Sequence, residues 1–262
     1  MPDALPAPPR IRFPAAIAVN APRIFCDLRL GPGAQFPLPQ EAANHIGRAL
    51  RLRVGDALVV FDGRGGEYEA QILRIDRDRV EVKTGAFREP ARESPLAIGL
   101  VQGLPEADKM DWILQKCVEL GVAWIQPVVC ERSVVRLSGD RAARRQAHWQ
   151  RVAIAACEQC GRNLVPEVRP TLPFRDWAAQ PSQARRWMLA PGAQEPLVAQ
   201  APPTGPVELL VGPEGGLAER ELDIAVTIGF TALSLGPRVL RTETAPLAAL
   251  SAMQSLWGDF RR

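Results

Sequence analysis

Two glycine-rich segments near the end of the chain hold the residue types with most chemistry to offer. The first reads Leu209-Leu-Val-Gly-Pro-Glu-Gly-Gly216. An apolar run passes into a turn, where glycine lets the backbone approach a ligand closely and free N–H groups at a helix start take anionic or polar atoms. No Gly-Lys-Ser/Thr follows, so this is not a phosphate loop, and the glycine spacing does not fit the dinucleotide fingerprint. Alone, the pattern is as well explained by a tight strand-to-helix turn. The second segment, Ser234-Leu-Gly-Pro-Arg-Val-Leu-Arg-Thr-Glu-Thr-Ala245, repeats the plan of strand, Gly-Pro turn and helix. Two such loops at the C-terminal ends of neighbouring parallel strands build the crevice in which open α/β sheets bind ligands. Glu243 is the candidate proton acceptor there, and an acid at that place also simply suits a helix N-terminus. Arg238 and Arg241 could stabilise a developing anion or fork a phosphate.

Other reactive types are sparse. The two histidines, His45 and His148, lie away from these loops, one in the N-terminal region and one on a long helix. Cys157 and Cys160 form a Cys-x-x-Cys with no second pair. The spacing sits inside a helix whose apolar face would take Cys157, so a buried structural role is expected over a redox or zinc site.

The elements that must position the loops alternate from Leu96 onward. Ala97–Gly103 reads as a buried strand, and Ala107–Leu120 as a helix with Met110, Ile113, Leu114, Cys117 and Leu120 at helical spacing, closed by Gly121. Ala123–Val129 is a strand, and Arg141–Cys160 a long helix capped by Asp140 and ended by Gly161. Strands over Trp187–Ala190, Val207–Val211 and Thr231–Leu235 alternate with helices over Glu219–Ile228 and Thr244–Trp257. Such alternation implies a parallel sheet covered on both faces. Before Glu89–Pro95, which reads as a linker, the rhythm differs. Short strands at Arg23–Leu28, Asp56–Phe61, Glu67–Ile75 and Arg79–Thr84 with a Gly-rich turn at Asp62–Gly66 predict a small β-barrel, interrupted by one helix over Pro39–Ala49. The division is a disordered extension over residues 1–20, a small domain over 21–90 and an α/β domain over 96–262.

The bulk numbers permit this. The 262 residues are 47% hydrophobic and 23% charged, enough to bury a core. A net charge of +3 allows a polyanion partner without demanding one. Five scattered cysteines argue for reduced thiols and a cytoplasmic protein rather than a disulfide framework. No apolar run reaches transmembrane length, and Phe13–Val19, broken by Pro14, makes a poor signal peptide.

With these residues in view, the sequence resembles the SPOUT methyltransferases, and more narrowly the RsmE family, which methylates N3 of a uridine in bacterial 16S ribosomal RNA. The likeness is carried by GPEGG and SLGPRVLRTETA. It extends to Lys109-Met-Asp-Trp-Ile-Leu-Gln-Lys-Cys-Val-Glu-Leu-Gly-Val122, Glu158-Gln-Cys-Gly-Arg162, His45–Asp56 and Phe61–Tyr68, in order from Pro22 to the C-terminus. The resemblance implies a deep trefoil knot in the C-terminal region, against the rule that chains do not thread loops, and a PUA-like RNA-binding barrel before it. It implies S-adenosyl-L-methionine as cofactor and S-adenosyl-L-homocysteine as product, lined by Gly212, Glu214, Gly215, Leu235, Gly236, Leu240 and Thr242. A sulfonium already activates the methyl, so no metal is expected. It further implies a homodimer, with 16S rRNA in the small ribosomal subunit as partner and no membrane. Glu243 and Arg241 become the candidate catalytic residues, and Arg23, Arg48, Arg51, Arg53 and Arg162 the candidate RNA contacts. One departure is Ala218, where many members carry a helix-capping Ser; losing such a cap costs about 1 kcal/mol. Other readings are a SPOUT enzyme acting on transfer RNA or another base, and a non-catalytic RNA-binding assembly factor. Intact glycines in both loops speak against the last, and the missing Lys speaks against a nucleotide triphosphatase.

Overall fold

The computed structural model describes residues 21–46, 52–76, 79–106, 108–135, 137 and 139–261. The expected extension over 1–20, the last residues of the helix expected over 39–49, Ala107, and Arg48 and Arg51 lie outside them.

Alternation of inward Ala70, Ile72, Val80 and Val82 with outward polar residues builds the first sheet. Its strands are β1 (Arg23–Phe25), β2 (Gln35–Pro37), β3 (Ala57–Phe61), β4 (Glu67–Asp76) and β5 (Arg79–Arg88), in the order β1-β3-β4-β5-β2. β1 runs parallel to β3 and the other pairs are antiparallel. The short helix α1 (Gln40–His45) follows β2, and Leu58, Val60 and Ile46 are among the core residues of this sheet.

The second sheet is parallel throughout. Its strands are β6 (Ile98–Gly103), β7 (Trp124–Val129), β8 (Glu167–Val168), β9 (Leu172–Pro173), β10 (Arg185–Leu189), β11 (Glu195–Pro196), β12 (Val207–Val211) and β13 (Thr231–Ser234). The order is β11-β13-β10-β12-β6-β7-β8, with β9 also on β7. β6 and β12 are buried along their whole length, as strands covered on both faces must be. Leu100 and Leu209 face one layer, with α2 (Lys109–Glu119), α3 (Gly139–Cys160) and α6 (Thr244–Trp257). Val101 and Leu210 face the other, with α4 (Phe174–Ala178) and α5 (Glu219–Thr227). Pairing of single alternate residues to opposite layers is the period-two rule at work. Cys157 is buried as expected, its thiol donating to the Leu164 carbonyl at 3.7 Å. Asp140 lies in the first turn of α3, one residue inside the start at Gly139, so it supplies favourable charge rather than the expected cap.

Buried ions join the two sheets. Glu67, 2% exposed, accepts from Arg23 of β1 and from Arg92 at 3.0 Å. Arg23 also donates to the Asn163 side chain at 2.6 Å and to the Arg162 carbonyl at 3.1 Å. Arg162 in turn binds Glu93 at 2.8 Å and donates to the carbonyls of Val118 and Val122. Glu93 accepts the N–H groups of Asn163 and Leu164 as well. Arg23 and Arg162 were expected to contact RNA; their side chains are about 11% and 8% exposed and are held in this joint, with the Arg23 Nε left without a partner among the described residues. Arg92 and Glu93 tie the expected linker into it.

Candidate functional site

The carboxyl ends of β10, β12 and β13 open into a cavity of about 620 Å³. Its walls are the segments after those strands: Leu189–Gly192, Val211–Leu217 and Leu233–Glu243. This is the end of an open parallel sheet at which ligands bind. A second cavity of about 630 Å³ lies at the opposite ends of β10 and β12, lined by Arg185 and Arg186 among others. It has no glycine turn carried by a strand's carboxyl end, and Arg186 is already committed to Glu208 at 2.9 Å.

The local sequence makes the first cavity. Gly212 ends β12 so tightly folded over its own loop that a Cβ would lie 3.1 Å from the Leu217 nitrogen. Gly236 takes φ +98, open to glycine and strained for other residues. Thr242 staples the two loops together: its hydroxyl donates to the Gly212 carbonyl at 2.7 Å and accepts from the Gln102 amide at 3.0 Å. Gln102 is fully buried on β6, and its Oε1 has no partner among the described residues.

At the cavity wall Glu214 accepts from the Lys109 ammonium at 2.6 Å and from the Glu106 N–H at 3.1 Å. Burial opposes ionisation of Glu214, but these donors and its own N–H hold its carboxyl below the ordinary carboxylate range. Lys109 is shifted up, first by that hydrogen bond, so the pair stays charged. Arg132 donates to the Gly215 carbonyl at 3.0 Å. Behind the loop Glu221 accepts the Ala218 N–H at 2.9 Å and the Glu131 N–H at 2.8 Å. That carboxylate supplies the reverse half of a capping box, so the helix start is secured although Ala218 has no hydroxyl.

All seven residues expected around a cofactor line this one cavity, and so do Arg238, Arg241 and Glu243. Arg238 and Arg241 are exposed and make no ion pair among the described residues. Glu243 is half-buried, and its Oε2 is buried without a partner among the described residues. Of the expected RNA contacts, Arg53 is exposed on the small sheet's side of the molecule, away from this cavity's lining. Sequence reasoning missed Gln102 and gave Lys109 no role. A lone amide within the apolar strand Ile98–Gly103 was the available signal for the first; the second had none beyond its place in a matching stretch.

Comparison with known proteins agrees with this geometry. A family model described as an RNA methyltransferase domain matches residues 92–254, and one described as an RNA methyltransferase PUA domain matches 38–84. The ribosomal RNA small subunit methyltransferase E of Bacillus subtilis is 32% identical over 227 residues, covering 83% of this chain and 89% of its own. A crystal structure of a ribosomal RNA small subunit methyltransferase E from Neisseria gonorrhoeae, bound to S-adenosyl methionine, is 41% identical with a TM-score of 0.86, over 92% of this chain and 99% of that one. A structure from Legionella pneumophila in complex with the cofactor SAM is 37% identical with a TM-score of 0.88, over 92% and 100%.

Proposed function

The chain belongs to the ribosomal RNA small subunit methyltransferase E family, and on that premise we propose that it transfers the methyl group of S-adenosyl-L-methionine to N3 of a uridine in 16S ribosomal RNA. The observation that carries the reading is the single cavity that gathers Gly212, Glu214, Gly215, Leu235, Gly236, Leu240 and Thr242 at the carboxyl ends of β12 and β13. The residues present suit the cofactor. The cavity falls in the size range of small-molecule sites, and two glycine turns bring backbone to its wall.

When bound, S-adenosyl-L-methionine supplies a methyl already activated by its sulfonium, so the transfer calls for no metal. The bond from methyl to sulfur breaks, a bond to N3 forms, and the N3 proton leaves; S-adenosyl-L-homocysteine is released. The main-chain groups of both loops hold the cofactor, and Thr242 fixes the spacing between them. Glu243 accepts the N3 proton, and Arg241 offsets the negative charge that develops on the uracil ring. Arg238 is placed to fork a neighbouring phosphate. Residues 21–90 form the RNA-gripping unit, with Arg53 as a contact along with Arg48 and Arg51, and residues 96–262 form the catalytic unit with its trefoil knot. The active form is a homodimer, the substrate is the small ribosomal subunit, and the enzyme works in the cytoplasm. The described helices include none long and apolar enough to cross a membrane.

The test is transfer of labelled methyl to small subunits lacking the modification, followed by digestion and identification of the nucleoside. Recovery of 3-methyluridine is expected. A different methylated nucleoside would discard N3 and keep the enzyme class. Absence of cofactor binding would discard both in favour of an assembly factor.

A further inference from the structure

The helix α3 carries a second basic surface. Arg141, Arg144, Arg145, His148 and Arg151 recur at spacings of three and four. On a helix of 3.6 residues per turn they fall within an arc of roughly 120° and run for about 15 Å. Trp149, Ala153, Ala156 and Cys157 are buried on the other side. Between Asp140 and Glu158 the helix has no acid at all. Like charges three and four residues apart disfavour a helix, so a merely solvated face would be expected to mix signs. Elsewhere on the surface Arg74, Arg79, Arg88 and Arg169 each sit against a carboxylate, while Arg175 and Arg220 have no ion pair among the described residues but stand singly. Arg141, Arg144, Arg145 and Arg151 have no ion-pair partner among the described residues. Arg145 lies over the Trp149 ring with its guanidinium carbon 6.0 Å from the centroid.

The stripe neighbours elements that contribute to the cavity lining. Arg132, which lines the cavity and holds Gly215, lies seven positions before the start of α3. From the other side Lys109 of α2 lines the cavity, and two residues on Asp111 binds His148 of the stripe at 2.6 Å.

Resting on the proposed activity toward RNA, we infer that this face of α3 is a phosphate track, along which the substrate RNA backbone runs into the cavity. Arg141, Arg144 and Arg151 each neutralise one phosphate. Arginine suits the task because its planar fork matches phosphate oxygens and is never deprotonated.

The experiment compares the wild type with a triple variant, R141Q/R144Q/R151Q, and with a charge-keeping control, R141K/R144K/R151K. Affinity for a 16S RNA transcript is measured from 50 to 200 mM salt. Each phosphate contact contributes a slope of roughly 0.7 to 0.9 in log affinity against log salt. Loss of three contacts therefore makes the salt-induced loss of affinity smaller by about 20- to 40-fold over that range. The lysine control keeps the wild-type slope. In turnover the glutamine variant shows a raised KM for small subunits, with kcat and S-adenosyl-L-methionine affinity at wild-type values. A glutamine variant with the wild-type slope overturns the track, whether its affinity falls or not, and so does one that instead loses binding to a protein surface of the subunit. The binding measurement needs no turnover. A wild type that binds RNA but transfers no methyl strikes the proposed function alone, while the slopes still decide the track.

Discussion

At the scale of single residues, Thr242 and Glu243 are neighbours with separate tasks, and their substitutions separate. Thr242→Val strips a hydroxyl that serves both the Gly212 carbonyl and the Gln102 amide. The Gly212 carbonyl loses its partner and the Gln102 amide keeps only its bond to the Gly103 carbonyl, at a cost of about 1–3 kcal/mol before relaxation. Thermal denaturation should show the loss, and calorimetry should show weaker cofactor binding; Thr242→Ser should restore both. Glu243→Gln should instead leave cofactor affinity within a few-fold and lower kcat by about 10²–10⁴, the usual range for a lost general base. An unchanged kcat would remove Glu243 from the chemistry and leave it a helix-end charge. The two loops were legible as strand, glycine turn and helix, while Thr242 and the rest of the expected lining came only with the family resemblance. Gln102 was not, because nothing in an apolar strand says that its one amide points at a loop far away in sequence. The surroundings of Arg23 and Arg162 were hidden for a related reason. A sequence displays charges, but whether a charge meets water or a buried carboxylate such as Glu67 depends on contacts 44 and more residues away.

At the scale of elements, the start of α5 shows how a missing cap is compensated. Ala218 offers no side-chain oxygen, and Glu221 does the work from three residues on while also binding the Glu131 N–H. Glu221→Ala should expose both orphaned donors and cost about 2–4 kcal/mol, as hydrogen bonds to charged groups do. Glu221→Gln keeps one acceptor oxygen and should lose about half as much in urea titrations. Equal stability of both variants with the wild type would mean that water replaces the carboxylate freely. Most strands and helices of the α/β region were readable to within a few residues, since buried parallel strands are continuous apolar runs and helices carry their own period. The pieces that escaped, β8, β9, β11 and α4, are two to five residues long. Segments that short have no period to detect, and tertiary pairing alone makes them regular.

Taken as a whole molecule, the chain stands on three apolar clusters, and an ionic joint ties the two sheets together. Glu93→Ala should leave Arg162 charged and buried with only carbonyls for company, a situation that costs about 3–5 kcal/mol. Chemical denaturation would detect it, and a two-step unfolding curve in the variant would show that the joint couples the cores. A second whole-chain property follows from the thiols. Burial pushes Cys26 and Cys157 up to about 12, aided at Cys26 by Glu158, and raises Cys117, Cys130 and Cys160 as well. Folded values above the ordinary 9.0 mean that the folded chain holds these protons more tightly than the unfolded chain. Their contribution to stability is complete below about pH 9 and is lost as pH rises from there toward 12. Denaturation at pH 8 and at pH 10 should therefore give the lower stability at pH 10, and the native thiols should resist a disulfide reagent at pH 8. The order of strands was beyond sequence reasoning, because periodicity identifies strands without saying which become neighbours.

The ionic joint has a consequence of another kind. Arg92 and Glu93 clamp what would otherwise be a hinge, so the small sheet and the cavity stand at one separation and one angle. A long polymer that touches both is gauged as well as gripped. If the small sheet grips RNA as proposed, only the nucleotide at that set span from the gripped feature would reach the cavity, whatever its neighbours in sequence. Selectivity of this sort resides in length, as in a caliper, and lengthening the stretch between the two sheets by a few residues would be expected to shift which nucleotide is reached before it abolished the reaction.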